Sequence, residues 1–321
     1  MLRRSLIGSV LAAGLPLAAG QAQAFPSKQI RVLVGAAAGG GADIVARVLM
    51  QELAKSAGLS VLVDNKPGAG GTVATREMLR ATPDGHTLLV ANVGVMAVIP
   101  YATREAGYDP RIDITPICMA VDFSNLLVVH PSVPAKSLAD YLELARRPDG
   151  MDYGTSGVGS AGHLAGELLK SMSGVRLNHV PFRGGGPAMN DLVAGHVPSL
   201  MASAPTATPL VREGRIRALA ATGARRSPFD PEIPIIAELG FPGYAATNWY
   251  AIVVSSKVPP ETVATLNGLL SKALGTAEVR AAFAQQGMET VAGTQAEAAQ
   301  HIAHETEVWK RVIADSGIRL E

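Results

Sequence analysis

Two glycine-rich runs, about half a chain apart, hold the residues best placed to do chemistry. The first is Ala36-Ala37-Ala38-Gly39-Gly40-Gly41-Ala42-Asp43; the second is Ser156-Gly157-Val158-Gly159-Ser160-Ala161-Gly162-His163. Glycine lets the main chain turn sharply and lets a ligand approach it closely. The first N–H groups of a helix have no partner within it and carry the positive end of its dipole, so a helix start can seat an anion. The candidate ligand contacts are therefore Ala36, Ala37, Gly39, Gly40, Gly41 and Asp43 in one loop, and Ser156, Gly157, Ser160, Ala161 and His163 in the other. Asn92 ends an apolar run, Thr87 to Ala91, and Arg183 precedes three glycines. Strand C-terminal ends face the ligand crevice in open α/β sheets, and a guanidinium pairs with anions, so both join the set. Asn92 reads equally as a turn former, and His163 equally as a packing or capping residue.

The elements around these runs repeat one design. Ile30 to Val34 and Met151 to Thr155 read as strands. Ile44, Val45, Val48, Leu49 and Leu53 follow the first loop at helical spacing; Leu164, Leu168 and Leu169 follow the second. If the two loops face each other across a cleft, two sets of backbone donors point at one small anionic molecule.

Other chemistries fit less well. Gly157-x-Gly159-x-x-Gly162 matches the dinucleotide string, but the next strand reads Asn178-His179-Val180-Pro181 and lacks its acidic residue. A third glycine run, Asn65-Lys66-Pro67-Gly68-Ala69-Gly70-Gly71-Thr72, lacks the Lys-Ser/Thr of a phosphate-binding loop; it lines the cleft or only makes a turn. Ser156 and Ser160 lie outside Gly-x-Ser-x-Gly, and Ser160 reads as a helix cap or donor. His301 and His304 lack a third ligand for zinc and read as a solvated helix face. Cys118, the lone cysteine, lies in an apolar run and reads as a buried thiol. Trp249 and Tyr250 read as core or cleft wall. No catalytic residue, metal or cofactor is expected.

The 321 residues are 48% hydrophobic and suffice for one or two cores. The net charge of +1, with no basic block, argues against nucleic acid. Residues 1–24 read as a secretory signal. Arg3 and Arg4 precede a short apolar run, and Ala22-Gln23-Ala24 gives a cleavage pattern after Ala24. Its removal takes the net charge to −1. Alternating strands and helices imply an α/β protein with largely parallel sheets. Asn125 to His130 reads as a strand crossing into a second domain, and Tyr250 to Val254 as one crossing back. The expected division is domain 1 over 25–123 plus 250–321, and domain 2 over 124–249.

Taken together, these segments resemble the periplasmic solute-binding proteins of tripartite tricarboxylate transporters, the Bug family. The resemblance spans the mature chain. It rests on Phe25-Pro26-Ser27-Lys28 through Val34, Asp43-Ile44-Val45-Ala46-Arg47, Asn65 to Gly71, Pro83-Asp84-Gly85-His86-Thr87-Leu88-Leu89 and Tyr108-Asp109-Pro110. It continues through Tyr153-Gly154 to His163-Leu164-Ala165-Gly166-Glu167-Leu168 and His179-Val180-Pro181-Phe182-Arg183-Gly184-Gly185. It implies a two-domain, type II Venus-flytrap binding protein with its cleft between the domains. It also implies a periplasmic, monomeric, non-enzymatic chain that binds a small organic acid for inner-membrane transporter subunits. A ligand-presenting sensor and an exported hydrolase are the alternatives. The family's first loop usually has an aromatic and two prolines, then a hydroxyl residue. Here Ala36, Ala37, Ala38, Gly41 and Ala42 stand there, which implies a roomier or more apolar pocket.

Overall fold

The computed structural model describes residues 25–102 and 106–316; the expected signal segment lies outside them. The elements run β1 (Ile30–Val34), α1 (Gly41–Ala57), β2 (Val61–Asn65), α2 (Thr72–Arg80), β3 (Thr87–Asn92), α3 (Ile99–Ala102), α4 (Pro110–Asp113), β4 (Ile114–Val129) and α5 (Leu138–Ala145). They continue with β5 (Met151–Thr155), α6 (Ala161–Ser173), β6 (Leu177–Pro181), α7 (Gly185–Val193), β7 (Ser199–Ser203), α8 (Ala204–Arg212) and β8 (Arg217–Ala221). The chain closes with β9 (Thr247–Ser255), α9 (Pro260–Leu274), α10 (Ala277–Gln285), β10 (Glu289–Ala292) and α11 (Gln295–Ser316). None of the described helices is long and apolar enough to cross a membrane.

The strands pair in the order β2-β1-β3-β9-β4-β7-β5-β6, with β8 and β10 also on β4. β4 belongs to both halves of this arrangement. Ile114 to Ser124 pairs with β9, and Asn125 to Val129 pairs with β7 and β8. The largely parallel sheets expected from the alternation hold for the outer strands only. β1 runs parallel to β2 and β3, and β5 parallel to β6 and β7. The ladders of β9 and β10, and those β4 makes to β7 and β8, are antiparallel. A crossover helix returns the chain for a parallel pair, whereas β4 and β9 carry it across the molecule in opposite directions.

β4 also joins two runs that read separately in the sequence. Asp122 and Ser124 look like an interruption, yet only their side chains are partly exposed while Phe123 between them is buried. The strand therefore continues through them, its register shifts lying earlier, between Pro116 and Cys118 and between Met119 and Val121. α1 forms because Val45, Leu49 and Leu53 bury one stripe against the first sheet, and Gly58, at φ 65°, ends it in a left-handed turn. Cys118 is fully buried, and that burial pushes its thiol pKa up to about 12. On α11 the solvated face holds for His304 but not for His301, whose ring meets the buried Trp249 edge-on at 5.7 Å.

Candidate functional site

The loops after β1, β3, β5 and β7 converge on one cavity between the two lobes. It encloses about 870 Å³ out to its mouth, and the centre of a water molecule reaches about 60 Å³ of it. Five helix starts contribute to its wall. Gly40 and Gly41 come from α1, Gly71 and Thr75 from α2, Ser160 and Ala161 from α6, Gly185 from α7, and Ser203 and Thr206 from α8. The residues capping α1, α2, α7 and α8 are Gly40, Gly71, Gly184 and Ser203, and none supplies a side-chain cap. α6 alone of the five is capped, by Ser160 Oγ accepting the His163 N–H at 3.3 Å. None of the described residues in the wall is charged. The cavity thus offers backbone donors and aligned dipoles with no competing ionic partner.

Seven of the expected contacts stand in this wall: Ala36, Gly40, Gly41, Asn92, Ser156, Ser160 and Ala161. Asn92 also makes the turn the sequence allowed, its Oδ1 accepting the Val95 N–H at 3.1 Å. Gly157 and Arg183 line a wider outer chamber that shares Gly35, Gly70 and Ser156 with the cavity.

The other four stand behind the wall. Ala37 donates its N–H across the cleft to the Arg183 carbonyl at 3.2 Å. Asp43 Oδ2 accepts from Gly39 N and Arg47 Nε, both at 2.9 Å, so it braces the first loop. Burial alone would raise its pKa, but Arg47 and the Gly39 N–H hold it below the usual carboxylate range. His163 is stacked on His179, with ring centres 4.0 Å apart, and its Nδ1 accepts the Gly159 N–H at 3.2 Å. Burial pushes its pKa down. A neutral, inward-turned imidazole brings no positive charge to a carboxylate. His179, pushed down to about 3 by burial and then by His163, sits 2.7 Å from Thr155 Oγ1, which in turn accepts the Gly157 N–H at 3.1 Å. Two neutral imidazoles therefore brace the second loop from behind.

The cavity also contains residues outside the expected set. Gly70 and Gly71 place the third glycine run in the wall, and Tyr250 lines it while Trp249 is core. Asn125, Asn248, Thr75, Thr155, Ser203 and Thr206 add polar groups. Asn125 and Asn248 carried one available signal, an amide within an otherwise apolar strand.

A family model described as "Tripartite tricarboxylate transporter family receptor" matches residues 45–318. The chain belongs to that receptor family. BugT of Bordetella pertussis is 32% identical over 99% of this chain and 98% of its own. Among solved structures, Rpa4515 of R. palustris with adipate is 34% identical with a TM-score of 0.88, covering 92% of this chain and 99% of its own. MatC of Rhodopseudomonas palustris with bound malate is 30% identical with a TM-score of 0.85, covering 90% and 100%.

The unusual first loop of this receptor now has a physical reason. A Cβ on Gly41 would lie 2.8 Å from both Pro205 Cγ and Tyr250 Oη, so a hydroxyl residue does not fit there. The space an aromatic would take at Ala36 to Ala38 is not left empty. Gly184 of the opposite lobe packs into it, so close that an added Cβ would sit 2.9 Å from Ala37 N and 3.5 Å from Ala36 Cβ. Small residues thus face each other across the cleft at Ala36, Ala37 and Gly184.

Proposed function

We propose that this receptor captures a small carboxylate in the cavity, without chemical turnover, and delivers it to the membrane subunits of a tripartite transporter. The observation that carries the reading is the convergence of five helix starts on a wall with no charged side chain among its described residues. An anion gains there from each dipole, ~0.3–1 kcal/mol when exposed and up to ~2 kcal/mol when partly buried. A cation would find no counter-charge. Adipate and malate in the two related structures support the same ligand class.

In this reading the lobes are 25–123 plus 250–321 and 124–249, hinged on β4 and β9, and the chain works as a periplasmic monomer after cleavage at Ala24. Ala36, Gly40, Gly41, Ser156, Ser160 and Ala161 seat the carboxylate, with Asn92 beside them. Ala37, Gly39, Asp43, Gly157 and His163 shape the two loops, and Arg183 stands at the outer mouth. Calorimetry of residues 25–321 against mono-, di- and tricarboxylates, an amine and a sugar tests it. Binding of an acid supports the reading. Tight binding of the amine or the sugar, with none of any acid, overturns it.

A further inference from the structure

Asn125 and Asn248 are both in the cavity wall, at the point where β4 leaves β9 for β7. They are 1% and 6% exposed. Their amides form a directional relay. The Trp249 main-chain N–H donates to Asn248 Oδ1 at 2.9 Å, which fixes the nitrogen end of that amide. Asn248 Nδ2 then donates to Asn125 Oδ1 at 3.2 Å, which fixes the second amide in turn. A main-chain N–H only donates, so flipping either amide breaks the chain. The Asn125 main chain is also occupied, its N–H by Thr222 Oγ1 at 3.0 Å and its carbonyl by the Thr222 N–H at 2.9 Å. What remains is Asn125 Nδ2, a buried donor with no partner in the protein.

Buried donors are nearly always paired, and an unpaired one is costly. The residue that carries it lines a cavity whose wall offers no carboxylate among its described residues. We infer that Asn125 determines specificity: its Nδ2 recognises an oxygen acceptor at the second end of the ligand and rejects a ligand that brings an ammonium group there. The inference rests on the carboxylate reading, which places the first end at the helix starts. The ligand class is then an acid with a remote carboxylate or carbonyl oxygen, and not an amino acid with a remote amine. A site built to donate to an acceptor discriminates strongly against an analogue lacking it, because the donor is then left unpaired.

The test uses matched probes of four, five and six carbons: the diacid, its monoamide, the plain monoacid and the ω-amino acid. Wild-type protein binds the diacid and the monoamide at least tenfold more tightly than the monoacid, and the ω-amino acid least. Asn125→Ala brings that preference to within about threefold. Asn125→Asp keeps the oxygen that accepts from Asn248 and replaces the free donor with an acceptor. It loses at least 100-fold for the diacid and gains for the ω-amino acid. Equal losses for every probe in Asn125→Ala, or wild-type diacid affinity in Asn125→Asp, overturn the inference while leaving the carboxylate reading intact. Failure of the wild-type chain to bind any of the acids overturns both.

Discussion

Substituting Gly94 with alanine should weaken ligand binding without weakening the fold. Gly94 lies in the helical turn after β3, and its Cα faces the Gly159 carbonyl across the cleft. An alanine Cβ there would lie 2.8 Å from that oxygen and 3.1 Å from Asn92 Oδ1. The first distance is roughly 0.6 Å short of ordinary contact, and the obstacle is backbone that cannot rotate away. The backbone angles at Gly94 are ones that any residue adopts, and alanine favours a helical turn over glycine by ~0.5–1 kcal/mol. The unliganded, opened protein should therefore keep its melting temperature or gain slightly. Closure carries the cost. Overpacking of this kind costs ~1–3 kcal/mol, and the lobes can relieve part of it by parting slightly, so ~1–2 kcal/mol remains. At ~1.4 kcal/mol per tenfold, affinity for the tightest-binding acid falls about 5- to 30-fold in calorimetry. Wild-type affinity in a folded Gly94→Ala protein would refute the claim that the ligand is held with Gly94 against Gly159.

Two further substitutions probe the loops. Gly40→Val suits the extended backbone at that position (φ −80°, ψ 164°), but its methyl groups extend toward the start of α7, where Gly185 N lies 3.5 Å from the Cβ position; binding should fall at least 100-fold with melting within a few degrees of wild type. His179 has its folded pKa lowered to about 3 from the ordinary 6.5, so its stabilising contribution is full above pH 6.5 and is lost as pH falls toward 3. Between pH 7 and pH 4.5 this is ~1–2 kcal/mol after allowance for solvent access. Thermal melts of His179→Asn should show a smaller drop across that interval than wild type, and equal drops would count against a buried neutral His179. Asp84, held near pKa 2, begins to matter only below about pH 4, outside the interval.

Much of the site was legible because its signals are local. A β-branched run, three glycines and a helical apolar stripe occur within 25 residues at Ile30 to Leu53, and the pattern recurs near Ser156. What stayed hidden depends on partners distant in the chain. Asn125 and Asn248 are 123 positions apart, and only the sheet brings their amides together. The His163 ring stacks on His179 of β6, so a histidine in a first helical turn read equally well as a ligand contact. The neighbour of Ala36 and Ala37 is Gly184 of the opposite lobe, which no property of the first loop discloses. Parallel strand order was overestimated because alternating strands and helices do not reveal that β4 and β9 cross the molecule in opposite directions.

In the proposed function, main-chain donors at helix starts, and no side-chain cation, hold the ligand's charge. A crystal structure of the protein with its tightest-binding acid measures this directly. The expected result is a carboxylate within hydrogen-bonding distance of main-chain N–H groups at the starts of α1 and α6, with Arg183 uninvolved. A carboxylate paired to the Arg183 guanidinium in the outer chamber, or seated away from both helix starts, would contradict it.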